Sequence, residues 1–211
     1  MAYVLGFFAA DGAMIQNNRG AHFIEFHNTD KSILLKIRSV LGSNHTLGVR
    51  EARNKKWQTR YRLQLGSKTM FDDLSRFGFA QNKSKTMKLP NIPLAYTSHY
   101  VRGYFDGDGN VYFKRHFVKA RLKRRWVFSS RFTSGSLEYL EALHKILALY
   151  NLNGGFIQKK NRGHELVFSH KDSLALFRLM YNNASGSLFL KRKFDLFRKA
   201  IATLYPEEMR E

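Results

Sequence analysis

The sequence predicts an α+β fold built twice: two αββαββα units related by a pseudo-twofold axis, with their first helices packed together at the centre. Three observations predict it. The segment Tyr3-Val4-Leu5-Gly6-Phe7-Phe8-Ala9-Ala10-Asp11-Gly12 returns nearly half a chain later as Tyr100-Val101-Arg102-Gly103-Tyr104-Phe105-Asp106-Gly107-Asp108-Gly109. Strand-like and helix-like runs follow each copy in the same order. Small residues also recur four apart in both copies, Gly6 with Ala10 and Gly103 with Gly107, on one face of a helix.

The elements follow in order. Phe23-Ile24-Glu25-Phe26 reads as a strand before an amphipathic helix from Lys31 to Leu41, whose Ile33, Leu34, Ile37 and Leu41 share a face. Val127 to Phe132 likewise precedes a helix from Leu137 to Tyr150, with Leu140, Leu143, Ile146 and Leu147 inward. Two further strands come next, Thr46 to Arg53 and Trp57 to Leu65 in the first half, Gly155 to Lys160 and His164 to Ser169 in the second. A short helix closes each unit, from Lys68 to Phe77 and from Ser173 to Tyr181. Two of the chain's three prolines, Pro90 and Pro93, stiffen a connector. The organisation read from this is a first repeat over 1–87, a linker over 88–97 and a second repeat over 98–211.

Composition narrows the function. Lys and Arg number 36 against 16 Asp and Glu, a formal net charge of +20, which repels itself in a compact fold and calls for a polyanionic partner. With no cysteine, disulfides, zinc ribbons and thiol nucleophiles are excluded. No apolar run approaches the roughly 20 residues of a membrane span, and no secretory signal opens the sequence. The expectation is a nucleic-acid-binding protein working in the cytoplasm, on the nucleoid, or in an organellar matrix.

The repeated motif carries the chemistry. Packed face to face, the two motif helices place Asp11 and Asp108 side by side at their C-terminal ends, with Gly12 and Gly109 expected to end the helices through positive φ. Carboxylates there face each other and the negative ends of two helix dipoles, an arrangement that a hard divalent ion such as Mg²⁺ resolves. One Asp-Gly is a common helix stop; two copies at matched positions in so basic a chain point to a site. An EF-hand loop from Asp106 fails at Val111 and Phe117, and the eight histidines show no HExxH spacing.

A basic face accompanies the motif. Between Trp57 and Leu65, Gln58, Arg60, Arg62 and Gln64 alternate with Trp57, Thr59, Tyr61, Leu63 and Leu65. The first set holds the side-chain types that bond guanine and adenine in the major groove, or phosphates, or simply coat a solvated sheet edge. Lys114, Arg115, Lys119, Arg121, Lys123, Arg124 and Arg125 crowd one hairpin between Val111 and Phe132, which also carries Arg131.

Val4 to Gly12 and Val101 to Gly109 resemble the two signature motifs of the LAGLIDADG homing endonucleases in their single-chain, two-repeat form, closer in size to intron-encoded members than to intein-borne ones. The resemblance implies a saddle of antiparallel β-ribbons on double-stranded DNA and hydrolysis of both strands across the minor groove to 5′-phosphate and 3′-hydroxyl ends. It implies Asp11 and Asp108 as metal ligands, helped by the carbonyls of Ala10 and Gly107, with Mg²⁺ as cofactor, Mn²⁺ substituting, and Ca²⁺ supporting binding alone. It further implies a lysine near each scissile phosphate, assigned to Lys85 and Lys193 within Asn82-Lys83-Ser84-Lys85 and Leu190-Lys191-Arg192-Lys193. Water-positioning groups are assigned, to within a residue, to Asp30 and Ser134. Ala9 departs from the acidic residue that Asp106 retains. Some relatives assist intron RNA splicing or serve transcription instead, and the retained acidic pair favours cleavage here. The duplication already supplies the twofold of a dimer, so a monomer is expected.

Overall fold

The computed structural model describes the chain except residues 53, 55–57, 120, 121, 183, 185–187, 210 and 211. The first half runs α1 (Ala2–Asp11), β1 (Gly12–Gln16), β2 (His22–Asn28), α2 (Lys31–Val40), β3 (Gly48–Arg50), β4 (Arg60–Gly66) and α3 (Lys68–Arg76). The second runs α4 (Thr97–Asp108), β5 (Gly109–Val118), β6 (Lys123–Ser134), α5 (Leu137–Ala148), β7 (Phe156–Lys160), β8 (Gly163–Ser169) and α6 (His170–Tyr181), and adds α7 (Lys191–Leu204). Each half forms one antiparallel sheet, ordered β1-β2-β4-β3 and β5-β6-β8-β7. The registers match: Gly12 lies opposite Phe26 and Gly109 opposite Phe132. The α+β duplication expected from the repeat is therefore the fold. Among the described residues, no helix is long and apolar enough to cross a membrane.

The motif helices are its axis. Tyr3, Val4, Gly6, Phe7, Phe8 and Ala9 of α1 are all buried, so the helix is apolar around nearly its whole circumference, as a central helix must be. A Cβ on Gly6 would stand 2.0 Å from the Tyr100 carbonyl oxygen, and one on Gly103 would stand 2.0 Å from that of Tyr3. Backbone touches backbone, an approach only glycine permits. Lower down, a Cβ on Gly107 would meet the Ala10 Cβ at 2.3 Å. Flanking aromatics repeat the symmetry: Phe8 packs edge-on to Phe26 at 5.6 Å, and Phe105 to Phe132 at 5.2 Å.

Three of the outer helices start on side-chain caps. Asp30, Ser67 and Ser136 accept from the backbone N–H groups of Ser32, Met70 and Tyr139, opening α2, α3 and α5.

Several expectations are corrected. Gly12 and Gly109 do not take positive φ; both are extended, at −98° and −90°. Glycine is required there because a Cβ would lie 2.1 Å from the Phe8 ring or 2.4 Å from the Phe105 ring. The first ribbon is shorter than its alternation suggested: β3 holds only Gly48–Arg50 and β4 begins at Arg60, while Arg53 and Trp57 lie outside the described residues. The helix α6 starts at His170, not Ser173.

The helix α7 lies outside the element order read from the repeat, and the first half carries a single 3-10 turn, Lys83–Lys85, in its place. Phe194, Phe197, Ile201 and Leu204 carry the helical spacing that announces it. Its aromatics pack on both neighbours, Phe197 lying 5.5 Å from Phe105 and 5.6 Å from Phe177. Asp106, fully buried, anchors its start by accepting from the Leu190 N–H at 2.8 Å and from the Tyr3 hydroxyl at 2.7 Å. Ala9, its counterpart, has no such helix to hold.

The helix crossing gives the first prediction. Gly103→Ala forces a methyl into the Tyr3 carbonyl and should destabilise the fold by about 3 kcal/mol or more in denaturant unfolding. Gly48→Ala, where the nearest atom is 3.6 Å away, should shift it by less than about 1 kcal/mol.

Candidate metal centre and nucleic-acid interface

Because α1 and α4 cross at glycines, their C-terminal ends emerge together. A Cβ placed on Gly107 would lie only 3.5 Å from the Asp11 carboxyl carbon. Burial raises both carboxyls above their ordinary range. Asp108 is pushed up to about 6, first by burial and then by the charge of Asp11, against the pull of Lys193 and Lys83. Asp11 rises for the same first reason, but the Asn28 amide holds it down by donating to Oδ2 at 2.8 Å.

Two lysines neutralise this end of the helix pair. Lys193 Nζ donates to the carbonyls of Phe105, Asp106 and Gly109 at 2.7, 2.7 and 2.6 Å, and reaches Gly107 at 3.4 Å. Lys83 Nζ donates to Gly12 O at 2.6 Å. Each ammonium also sits over the motif aromatic of its own repeat, Phe8 at 5.3 Å or Phe105 at 5.4 Å. Carbonyls at a helix C-terminus carry partial negative charge and lack intrahelical donors, so a buried ammonium there is solvated by backbone. Burial still lowers both lysines to about 8, while the two aspartates pull them upward.

This geometry corrects one assignment. Lys193 stands where the motif resemblance put it, but its counterpart is Lys83; Lys85 is exposed on the outer side of the 3-10 turn. A sequence cue existed: buried Met87 follows Lys83 by four residues as buried Phe197 follows Lys193.

The water-positioning pair shifts as well. Counting two residues beyond the matched Phe26 and Phe132 makes Asn28 the equivalent of Ser134, and Asp30 the equivalent of Ser136. Asp30 Oδ1 is occupied by the N–H and hydroxyl of Ser32, at 2.9 and 2.7 Å. Asn28, missed in the sequence, is the side chain that touches Asp11. Ser134 Oγ accepts from the Ser136 N–H at 3.1 Å, just as Asn28 Oδ1 accepts from the Asp30 N–H at 2.9 Å.

The donor set fits a hard divalent cation. It offers only oxygens here, two desolvated carboxylates and the helix-terminal carbonyls of Ala10 and Gly107, and a dication between the acids would offset their burial and repulsion. Among the described residues no group of three or more His, Asp or Glu converges, so two carboxylates are the most any site provides. That suits a metal which keeps several waters and takes oxygens from its substrate.

Beyond this centre the sheet faces opposite the core carry the predicted interface residues. Arg60 and Gln58 are exposed, and Arg60 pairs across the ladder with Arg50. Arg62 and Gln64 share that face but are tied to buried Glu25, at 3.2 and 2.6 Å. In the second sheet Lys114 and Arg131 both approach the Tyr112 ring, each at 5.9 Å, and the Tyr112 hydroxyl bonds His116. Arg115 points to the other face: it pairs with Trp126, which stacks on Phe113 at 4.3 Å. Arg121 lies outside the described residues.

The fold and centre define a class: duplicated αββαββα proteins whose crossed motif helices end in paired acids. Residues 1–86 match the family model of the LAGLIDADG-like domain. Over nearly its whole length the chain superposes on LAGLIDADG structures. The meganuclease I-AabMI bound to uncleaved DNA gives a TM-score of 0.66 at 12% identity, over 99% of this chain and 91% of that one. The homing endonuclease I-WcaI bound to its DNA recognition sequence gives 0.65 at 17%, over 93% and 84%. The meganuclease I-SmaMI bound to uncleaveable DNA gives 0.64 at 13%, over 97% and 90%. The first repeat thus matches the LAGLIDADG-like domain by sequence, and the full length shares the two-repeat fold of these structures.

It is also 27% identical over 173 residues to the DNA-directed RNA polymerase subunit Rpo1C of Methanocaldococcus jannaschii, and 35% identical over 127 residues to a probable translation initiation factor IF-2 of Thermococcus kodakarensis. Those matches cover 80% and 57% of this chain but only 18% and 9% of the two proteins, so the likeness is to one segment of much longer chains.

A pH dependence follows from Asp108. Its folded carboxyl, at about 6, lies above the ordinary 3.8, so folding favours the protonated form. That contribution is fully present below about pH 4 and is lost as pH rises through about 6. In chelator, Asp108→Asn should therefore stabilise the protein at pH 8 by on the order of 2 kcal/mol, shrinking toward nothing near pH 4. Calorimetry across that range checks it.

Proposed function

We propose that the chain is a divalent-metal-dependent, site-specific endonuclease of double-stranded DNA, acting as a monomer. One observation carries the reading: each repeat delivers one desolvated carboxylate and one buried lysine to the same place, where the glycine crossing brings the motif helices together. The LAGLIDADG structures above were solved as DNA complexes, and I-SmaMI also with an uncleaved target in the presence of calcium ions, which supports a duplex substrate and a divalent ion. The net charge of +20 supplies the attraction for phosphates.

In this reading Asp11 and Asp108 hold the ion, with the carbonyls of Ala10 and Gly107 beside them, and Mg²⁺ is the physiological choice. Bound there, such an ion would supply polarisation of the phosphodiester and activation of water. The protein's own groups do the remainder. Asn28 fixes the Asp11 carboxylate through Oδ2. Lys83 and Lys193 oppose the upward pull of burial on both acids and place positive charge where a scissile phosphate accumulates negative charge. Arg60, Arg62, Gln64, Lys114 and Arg131 line the sheet faces along which the flanking duplex runs, while Asp106 and Tyr3 hold the helix pair in register.

Two outcomes are expected. Asp11→Asn or Asp108→Asn should reduce Mg²⁺-dependent double-strand cleavage by at least about 100-fold, since several kcal/mol of charge stabilisation disappears, while duplex affinity in the same salt persists. The assay is cleavage of a randomised duplex pool with sequencing of the cut ends. Tight duplex binding without any enriched cut by the unaltered protein would replace this reading with a binding protein.

The lysine assignment has its own test. Lys83→Ala should lower cleavage at least about tenfold, whereas Lys85→Ala should stay within about twofold of the parent. Equal effects in single-turnover rates would remove Lys83 from the centre.

A further inference from the structure

We infer that Glu25 and Glu165 are positioning residues that set base preference, each locking one arginine and one glutamine on the DNA-facing side of its sheet; this rests on the endonuclease reading above. Along β2, Ile24 and Phe26 turn into the core, so Glu25 and His27 turn to the opposite face. A glutamate on an open sheet face should be solvated, yet Glu25 is only 4% exposed. It is covered by its own partners. Oε1 accepts from Arg62 Nη1 at 3.2 Å and Gln64 Nε2 at 2.6 Å, and Oε2 lies 2.9 Å from His27 Nε2.

The second sheet holds the same device with its parts exchanged. Glu165 Oε2 accepts from Gln158 Nε2 at 2.9 Å and pairs with Arg131 Nη1 at 3.5 Å and Lys160 Nζ at 3.6 Å. The matched registers make Arg131 the counterpart of Glu25, each one residue before the matched Phe26 and Phe132. Likewise Arg62, paired with His27, corresponds to Glu165, paired with Thr133. Carboxylate and guanidinium have traded strands: the arginine stands on β4 in the first sheet and on β6 in the second. Neighbouring strands lie about 4.8 Å apart, so the two arginines occupy places that the pseudo-twofold does not superpose.

Toward DNA, a carboxylate in each saddle wall weakens phosphate attraction, so affinity alone does not account for it. Orientation does. A guanidinium has five N–H donors in a rigid fork; a carboxylate that takes one edge leaves the others aimed outward. An ionised carboxylate only accepts, which turns each glutamine Nε2 inward and presents Oε1 to the groove. Fixed in this way, arginine suits guanine, and a glutamine carbonyl offered as an acceptor suits the amino groups of adenine or cytosine over guanine and thymine in the major groove. Each half-site thus receives an oriented Arg and Gln, on exchanged strands, and the protein reads two different half-sequences.

The test uses Asp108→Asn protein, which leaves the duplex uncut, with the selected target and every single-base-pair variant of it, titrated at one fixed salt concentration. Adding Glu25→Gln should flatten discrimination about tenfold at one or two base pairs of one half-site, leave the other half-site unchanged, and raise affinity for random duplex. Adding Glu165→Gln should do the same in the other half. An unchanged profile, or an equal loss at every position by a protein with an unaltered melting temperature, overturns the inference. Should Glu25→Gln fail to fold, Arg62→Lys keeps the ion pair but removes the fork, and must flatten the same base pairs or the inference falls. If the Asp108→Asn parent itself shows no duplex preference, the endonuclease reading fails, and this inference with it.

Discussion

Backbone contact between Gly6 of α1 and Tyr100 of α4, mirrored by Gly103 and Tyr3, is the constraint from which the rest of the structure follows. Side chains normally hold helix axes 8 to 10 Å apart or more. Removing them at the crossing lets the two helices run close enough that Ala10 meets Gly107 and the last residues, Asp11 and Asp108, share one small volume. The same crossing fixes where the two sheets begin, since β1 and β5 leave directly from the helix ends. One steric decision therefore sets the spacing of the centre and the relation of the two basic faces.

Bringing two acids and two negative helix ends together is electrostatically costly, and the chain offsets it with buried cations. Lys193 spends its donors on three carbonyls of α4 and its exit, and Lys83 on Gly12. An ammonium this deeply placed would be forbidden without such partners. The result is a centre held together by backbone on one side and strained by carboxylates on the other, which is the condition under which a dication binds well. The strain is uneven: Asp11 has an amide partner in Asn28, while at the equivalent position the Ser134 hydroxyl serves the backbone.

That unevenness runs outward through both halves. Asp106 anchors α7 and has only Ala9 as its counterpart. The second β-ribbon extends over Gly109–Val118 and Lys123–Ser134, longer than its first-half partner. On the sheet faces the Glu–Arg pairs change strands. The two halves share the crossing and the register of their sheets, and differ at the buried Asp106–Ala9 position, in ribbon length and on the open sheet faces.

The sequence by itself determined the fold class, the crossing and the two acids. Duplication repeats a local pattern, small residues four apart have one geometric use, and Asp-Gly at the matched position of both copies needs no tertiary information to be seen. Helix and strand order is legible from apolar periodicity; α7 lies outside the repeated pattern, although Phe194, Phe197 and Ile201 carry its spacing. Only the tertiary structure decided which lysine enters the centre, because Lys83 and Lys85 are two residues apart in one short segment and differ only in the side of a 3-10 turn they occupy. It alone showed that Asn28 rather than Asp30 reaches Asp11, that Arg115 points away from Lys114, and that Arg62 and Gln64 are bound to Glu25. Each of these depends on partners far along the chain meeting across a sheet or a helix pair. Local sequence encodes periodicity; the direction of a polar side chain is set by the distant atoms that satisfy its hydrogen bonds.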